Sequence, residues 1–322
     1  MALSNMEVFN KYVMPATIET LDQMYDQFNA ASGGTIRLEG TGFEGDFSEE
    51  SFYTTLAAAQ RRVDRYASNG SASSTALAQT KTAGVKVAGG IGPIVYEPGQ
   101  MTWLEKAEAE GIEVASRSFA EIIMKDQMNT AIACLVAATE NNAAVVNDVS
   151  GTGGITYAAQ NTAHSKFGDH SGDIRGTVMG GSVYHRLIGE NLTNAERLFQ
   201  SSGVLVIDIL GKAVVVTDAP ALYEAGTPNK DKVLGLVEGA ATINGASDVI
   251  TNIETNNGNL RIETTLQSDY SFGVNLKGYS WDVANGGKSP TDAELATGSN
   301  WDKVVTSDKH TAGVLTIGSA DA

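Results

Sequence analysis

The sequence predicts an α+β protein, and three features indicate this class. A long helical pattern runs from Thr102 to about Asn141, helices and strands alternate over residues 151–258, and a period-two alternation typical of antiparallel strands returns after residue 259. At 322 residues the chain is long enough for one large domain or two ordinary ones.

The first hundred residues predict an arm and an extended excursion. Residues 5–31 are irregular to helical in pattern, and Gly33 and Gly34 end this arm. The pattern then predicts extended chain over 35–53 and an amphipathic helix over 51–67 (SFYTTLAAAQRRVDRYA). A small, polar and mobile loop is predicted over 68–84, and a returning strand over 85–98. So long a segment with so little apolar material is expected to reach away from the body of the protein.

The strongest predicted helix follows this excursion. Thr102 and Glu105 have the spacing of a capping box, in which a hydroxyl and a carboxylate satisfy free backbone N–H groups. After an interruption near Gly111, apolar residues recur at intervals of three and four up to about Asn141. At about 1.5 Å per residue, this helix would be about 40 Å long and could serve as a structural axis.

The second half of the chain predicts a mixed domain followed by antiparallel strands. Helices are predicted at ITYAAQNTAHSKFG and SVYHRLIG, and strands at RGTVMG, GVLVIDIL, KAVVVTDAP and KVLGLVEGAATI. The apolar character of GVLVIDIL and KAVVVTDAP predicts central, buried strands. A tight turn is predicted at residues 256–258, a long antiparallel strand or pair over 260–281, and a last strand at AGVLTIGSA.

The charge and cysteine content exclude several classes of function. A formal charge of −16 argues against sequence-independent binding to a phosphate backbone, and the only basic cluster is Arg61, Arg62 and Arg65, with Asp64 between them. The single cysteine, Cys134, lies in an apolar stretch, so it predicts a buried thiol and excludes a disulfide within the chain. The absence of a long apolar run and of a signal-like start predicts a soluble intracellular protein.

Two glycine-rich stretches resemble nucleotide-binding loops only in part. In GGKSPTDAELATG, residues 286–298, Asp282 stands where a phosphate loop requires glycine, so this stretch instead predicts a helix start. That start would use Ser289 as N-cap, Pro290 at the first helical position, Asp292 at the capping-box position and Gly298 as a C-cap. Gly90 and Gly92 are followed by Pro93 and then Val95, which excludes a dinucleotide fingerprint.

The remaining polar groups predict no catalytic or metal site. Ser182 lacks the glycine two positions later that a nucleophile elbow needs, because Tyr184 stands there, and His185 is too near in sequence to indicate a relay. The densest possible ligand group also fits a polar helix end and loop; it comprises His164, Asp169, His170 and Asp173. The isolated His310 and the carboxylates Asp148, Asp208 and Asp218 suggest no acid–base pair. We therefore expect no enzyme activity, no cofactor and no metal.

Six stretches over about residues 44–305 are informative through their order, and none is diagnostic alone. They are FEGDFSEESFYTTLAAAQRRVDRY, GVKVAGGIGPIVYEP, AEIIMKDQMNTAIACLVAA, FGDHSGDIRGTVMGGSVYHRLI, GKAVVVTDAP and GYSWDVANGGKSPTDAELATGSNWDKV. In this order they resemble the major capsid proteins of tailed double-stranded DNA bacteriophages with the Hong Kong 97 fold.

This resemblance implies a domain organisation and an assembly. The implied parts are an N-terminal arm (1–34), an extended loop lying on a neighbouring subunit (35–100), a peripheral domain with a spine helix (101–150), an axial domain (151–258) and return strands of the peripheral domain (259–322). Pentamers and hexamers would close into an icosahedral shell in the virion, assembled in the host cytoplasm, with no membrane partner. The implied partners are a portal protein, a decoration protein and packaged double-stranded DNA bound without sequence specificity. Relatives often carry a scaffolding segment fused before the arm; because this chain begins almost directly with the arm, we expect a separate scaffolding protein.

Residue roles within this assembly follow from segment position. The expected subunit contacts are Arg61, Arg62, Arg65, Lys81 and Lys86. The expected pivots of a rearrangement during maturation are Gly70, Gly89, Gly90 and Gly92. Two alternatives remain open at this stage: an encapsulin-like compartment of the same fold that encloses a cargo enzyme, and an α/β enzyme. Purified particles that contain protein rather than DNA would indicate the encapsulin-like compartment. A discrete monomer or small oligomer would indicate the enzyme.

Overall fold

A computed structural model describes residues 3–40, 42–53, 60–72, 74, 76, 79–97, 108–194, 212–245, 250–258 and 260–322. The described helices are α1 (Leu3–Ala31), α2 (Glu108–Glu140), α3 (Tyr157–Ser165), α4 (Gly181–Asn194), α5 (Val283–Gly286) and α6 (Asp292–Leu295). The described strands are β1 (Ile36–Glu39), β2 (Phe47–Tyr53), β3 (Gln79–Tyr96), β4 (Val146–Asp148), β5 (Ile174–Met179), β6 (Ala213–Val216), β7 (Tyr223–Glu224), β8 (Lys230–Val237), β9 (Ala241–Gly245), β10 (Ile250–Asn256), β11 (Glu263–Leu276), β12 (Tyr279–Trp281), β13 (Trp301–Lys303) and β14 (Gly313–Ser319).

The first sheet carries the two long helices and the extended hairpin. Its described strands follow the order β1-β9-β11-β3-β2, with β10 paired to β11. The strand β3 has 18 residues and pairs with β2 from Gln79 to Val85 and with β11 from Val85 to Tyr96. Buried side chains from α1, α2 and this sheet share one core, which includes Tyr25, Leu135 and Phe272.

The second sheet is covered by the shorter helices. Its described strands follow the order β4-β14-β8-β5-β6, with β7 paired to β8. One face of this sheet meets α3 and α4 in a small second core formed by Ile155, Met179, Val183, Leu187 and Val233. Buried apolar residues of β8 and β14 belong instead to the large core, so the second sheet is anchored to the spine helix α2.

Strand pairing crosses the domain boundary expected at residue 258. The strands β9 and β10 precede that boundary, yet both pair with β11 in the first sheet. The strand β14 follows it, yet pairs with β4 and β8 in the second sheet. The division into peripheral and axial domains stays a prediction, and these pairings would move its boundary to the turn after β8.

Most predicted elements are present, and the α+β class is confirmed. The arm is the helix α1, the returning strand is β3, and the spine is the helix α2, which continues through Gly111 without the expected interruption. The predicted cap at Thr102 and Glu105 and the predicted strand over 203–210 lie outside the described residues. Among the described residues, no helix is both long and apolar enough to cross a membrane.

The helix predicted over 51–67 is wrong in the parts that the structure describes. Residues 51–53 belong to β2, and residues 60–67 are irregular. The residues from 60 to 72 are exposed, so the described part of the predicted helix packs against no surface of the described residues. Because most helical stability in proteins comes from packing an amphipathic face, the periodicity alone does not produce a helix here.

Three further expectations about strands need correction. Among the described strands, β6 lies at the end of the order and is only partly buried, with Val216 46% exposed, whereas the sequence predicted a central buried strand. The stretch KVLGLVEGAATI forms two strands, β8 and β9, because the chain turns at Gly239 with a φ of 65°. The predicted tight turn is a longer connection, since Asn256 pairs with Glu263.

Candidate assembly surfaces

An extended hairpin carries the basic cluster away from the core. The strands β2 and β3 pair from Phe47 with Val85 to Tyr53 with Gln79, and residues 60–72 beyond them are exposed. The Arg65 guanidinium lies 5.9 Å from the centre of the Tyr66 ring, and Tyr66 is 91% exposed. The predicted contact residues Arg61, Arg62 and Arg65 therefore share an exposed segment, which we call the loop tip, residues 60–72.

The two predicted contact lysines lie lower on the hairpin and in different settings. Lys81 forms an exposed ion pair with Glu49 of the opposite strand, with 2.9 Å between Nζ and Oε2. Lys86 lies where the pairing partner of β3 changes from β2 to β11. Its backbone N–H donates to the carbonyl oxygen of Asp46, and the residue pairs with Gly273 in β11. The structure therefore does not bring these lysines together with the arginines of the loop tip.

The predicted pivot glycines occupy two kinds of position. Gly70 is exposed, and a Cβ atom there would meet nothing within 4 Å. Gly89 and Gly90 lie inside the paired part of β3, opposite Tyr270 and Asp269. Gly92 has a φ of 103° beside an irregularity in the β3–β11 pairing, where a Cβ atom would lie 2.6 Å from a backbone oxygen.

The hairpin separates from the main sheet at a glycine that sequence reasoning missed. The pairing of β3 with β11 ends at Val85, and the next residue towards the loop tip is Gly84. A Cβ atom at Gly84 would lie 2.8 Å from the backbone oxygen of Val274 and 1.7 Å from Oδ1 of Asn275, so this close approach favours glycine. Local sequence patterns did not indicate its importance, because the change of partner strand is visible only in the sheet.

An acidic face of α1 was also missed. Glu19, Asp22 and Asp26 are all exposed, and their spacing of three and four places them on one face of the helix. This spacing is present in the sequence and could have indicated the face. With the loop tip, it gives the subunit one basic and one acidic exposed element.

The four possible metal ligands lie in three different environments. His164 is buried, and burial, followed by the charge of Lys212, lowers the pKa of its imidazole to about 4. Asp169 pairs with Lys309, whose hydrogen bond and charge hold the pKa of that carboxyl below its usual value. His170 Nδ1 lies 2.8 Å from Oδ2 of Asp173. Among the described residues, no three His, Cys, Asp or Glu side chains are grouped to hold a metal ion.

The other candidate catalytic groups have structural partners. Asp218 accepts a hydrogen bond of 3.0 Å from the backbone N–H of Gly181, at the start of α4. The His185 ring packs edge-on against Tyr184, with 5.6 Å between the ring centres. Asp148 accepts from the backbone N–H of Ser150. Cys134 is fully buried, which raises the pKa of its thiol, and Asp208 lies outside the described residues.

The glycine–lysine–serine stretch forms a helix start, but at a later residue than predicted. Thr291, not Ser289, caps α6: its hydroxyl accepts from the Glu294 N–H, and Oε2 of Glu294 accepts from the Thr291 N–H at 2.8 Å. The reciprocal bonds form here because Glu294, rather than Asp292, occupies the third helical position. Gly298 opens a short 3-10 turn instead of capping the helix.

The fold defines the class of protein. The capsid asymmetric unit of cyanophage Pam1 is similar, with 13% identity, 88% of each chain covered and a TM-score of 0.55. Structures described as Microbacterium phage Oxtober96 (12% identity, 90% of each chain, TM-score 0.53) and Mycobacterium phage Adephagia (9%, 88% of this chain and 87% of that one, 0.53) are also similar. The fold is thus that of the Hong Kong 97-like capsid proteins of tailed phages.

The family match identifies the chain more closely. Residues 5–315 match the family described as major capsid protein 13-like, and the chain belongs to that family. It is therefore a major capsid protein, a structural protein of the virion capsid that assembles with copies of itself. The encapsulin-like alternative gains no support from these matches. No curated protein matches the chain.

Proposed function

We propose that this chain forms the icosahedral head of a tailed phage as pentamers and hexamers, enclosing double-stranded DNA without reading its sequence. A portal ring, a separate scaffolding protein and a decoration protein are its further partners, and assembly takes place in the host cytoplasm. The subunit acts mechanically and not as an enzyme. Membership of the major capsid protein family supports this proposal.

The extended hairpin is the observation that carries the proposal. A two-stranded ribbon is marginal in water without further packing, and beyond Gly84 the described strands pair with each other rather than with β11. The loop tip exposes large side chains, among them Val63 and Tyr66. Such a segment gains its stability by lying on a neighbouring subunit, where interfaces of obligate size become available.

The charges suggest which surface of the neighbour receives the loop tip. The protein is strongly acidic, yet the loop tip concentrates Arg61, Arg62 and Arg65. The exposed acidic face of α1 offers Glu19, Asp22 and Asp26 at helical spacing. Opposite charges across an interface select partners and fix their register, so we assign the α1 face of a neighbouring subunit as the counterpart of the loop tip.

The same hairpin contains the pivot of the rearrangement expected during maturation. We place the pivot at Gly84, where β3 changes partner, in addition to the glycines expected from the sequence. Gly89 and Gly90 would turn only if the β3–β11 pairing also changed, whereas Gly84 lies at the end of that pairing. A hinge is a residue that absorbs a change of φ and ψ between two packed bodies, and Gly84 occupies such a junction.

Electron microscopy of purified protein across a concentration series tests the proposal. Closed shells, or rings of five and six that increase with concentration or with a co-expressed scaffold candidate, are expected. Particles that contain nucleic acid support a phage head, whereas particles filled with a cargo enzyme support the encapsulin-like alternative. A protein that remains monomeric under every condition contradicts the shell function.

Charge reversal tests the assigned contact. The variant R61E/R62E/R65E should raise the concentration needed for assembly, because it places like charges opposite each other. Reversal of both sides, adding E19K/D22K/D26K, should restore assembly towards the wild-type threshold. A matched control, K125E/K166E/K288E, changes the net charge equally at exposed residues outside both elements. An equal defect in the control, or no restoration by the double set, would contradict this contact.

A further inference from the structure

A cleft beside α3 differs in charge from the rest of this acidic protein. It has a volume of about 500 Å³, within the range of small-molecule sites. The described residues that line it include two cations and three uncharged polar side chains but no carboxylate; they are Asn161, His164, Ser171, Gly172, Ile174, Arg175 and Lys212. In a chain with 38 acidic and 22 basic residues, the described part of this lining is therefore unusual in carrying cations without acids.

The two cations of the cleft have no acidic partner among the described residues. Lys212 donates from Nζ to the backbone carbonyl oxygen of Ser171 at 3.2 Å, which leaves two of its three donor positions for a ligand. Burial lowers the pKa of this ammonium group, and no carboxylate of the described residues offsets the effect. Arg175, on β5, is exposed and forms no ion pair with the described acidic residues, although it also borders a second cavity that Asp173 and Glu238 line.

The inner side of the cleft is polar and rigid. His164 is only 7% exposed and lies against Gly235, where a Cβ atom would be 2.8 Å from Nε2. One turn earlier on α3, Gln160 is buried, and neither of its amide atoms has a hydrogen-bond partner among the described residues. Gln160 lies outside the lining of the cleft, so the inner polar group that a ligand can contact is His164.

We propose that this cleft binds a phosphate group. Arginine supplies a planar fork and lysine a compact charge, the pair of cations that proteins use for phosphate oxygens. The Asn161 amide and the Ser171 hydroxyl add uncharged donors, and Gly172 leaves open space, since a Cβ atom there would meet nothing within 4 Å. The phosphate could belong to a free anion or to packaged DNA, and the chemistry of the cleft is the same for both.

Phosphate titration of purified subunits tests this inference. Inorganic phosphate, followed by calorimetry or by ³¹P line broadening in buffered sodium chloride, should bind saturably. K212Q and R175Q should each weaken binding at least about tenfold, since a charge-assisted hydrogen bond is lost. K212R should retain most of the affinity. K166Q is the matched control, because Lys166 is an exposed cation at the end of α3 outside the lining.

Each outcome has a defined meaning. No saturable phosphate binding, or equal weakening by K166Q and K212Q, overturns the proposal. Variants that retain the wild-type melting temperature but lose phosphate binding support it. A short DNA duplex added as competitor separates the two sources: displacement of phosphate by the duplex indicates the DNA backbone, and undisturbed binding indicates a free anion.

Discussion

Lys232 shows how a single residue joins the two halves of the subunit. Its side chain is 8% exposed, and its Nζ lies 2.8 Å from Oε2 of Glu140 at the end of α2 and 2.8 Å from Oε2 of Glu224 in β7. These two carboxylates hold the pKa of the ammonium group above its usual value despite its burial. The last turn of the spine helix is thereby tied to the second sheet.

We expect K232M to destabilise the unassembled subunit by about 2 kcal/mol. Breaking a fully buried pair costs about 3–5 kcal/mol, and the cost is lower here because both carboxylates are more than a third exposed. Denaturant unfolding measures this loss. The control is K309M, which removes a more exposed pair with Asp169 and should therefore cost much less than K232M. Equal losses of unfolding free energy in K232M and K309M would contradict this role of Lys232.

His164 makes the stability of the subunit depend on pH. Burial lowers the pKa of its imidazole from the ordinary 6.5 to about 4 in the folded state, so between these values the unfolded chain binds a proton that the folded chain does not. This contribution to stability is present above pH 6.5 and is lost as the pH falls towards 4. At 1.36 kcal/mol per pKa unit, the loss is at most about 3 kcal/mol.

The variant H164N tests this dependence. Wild-type subunits should lose stability more steeply than H164N between pH 6.5 and pH 4, because asparagine does not titrate. If the free energy of unfolding changes with pH at the same slope in both proteins across this interval, His164 is not held neutral in the folded state. Unfolding by denaturant at a series of pH values is the measurement.

At the residue scale, the sequence predicted burial better than it predicted partners. It correctly indicated a buried thiol at Cys134, because an apolar run predicts its own environment. It gave no sign of Lys232, since this lysine meets carboxylates 92 and 8 positions away that only the fold brings together. Long-range partners of this kind are not encoded in local periodicity.

Among the elements, α6 offers a direct comparison between prediction and structure. The sequence favoured Ser289 as the N-cap, whereas the hydroxyl of Thr291 accepts the bond from the Glu294 N–H. Loss of a capping side chain costs about 1 kcal/mol. We therefore expect T291A to lower the free energy of unfolding by about 1 kcal/mol and S289A to change it by much less. Thermal or denaturant unfolding of both variants decides between the two caps.

The elements that were predicted well are those whose pattern and packing agree. The spine α2 has a long apolar periodicity and packs against both α1 and the first sheet, so local preference and tertiary contact favour the same state. Residues 51–67 also have helical periodicity, but 51–53 pair with β3 and 60–67 are exposed. Their final conformation depends on what they contact, and in the proposed shell that surface belongs to another subunit.

The net negative charge of the whole subunit opposes its assembly with further copies of the chain. With a formal charge of −16, copies of the chain repel one another at long range. The loop tip and the acidic face of α1 provide a local attraction of opposite sign, and the exposed hairpin supplies apolar area for burial. Assembly therefore depends on the balance between a long-range repulsion and short-range contacts.

Salt concentration should shift this balance in favour of assembly. The screening length falls from about 30 Å at 0.01 M to about 8 Å at 0.15 M, so the repulsion between whole subunits weakens more than contacts between touching groups. We expect the threshold concentration for shells, measured by light scattering, to fall several-fold over this interval. R61E/R62E/R65E, which adds repulsion at the contact, should show a larger fall. A wild-type threshold that rises with salt would mean that attraction at the loop tip outweighs the net charge.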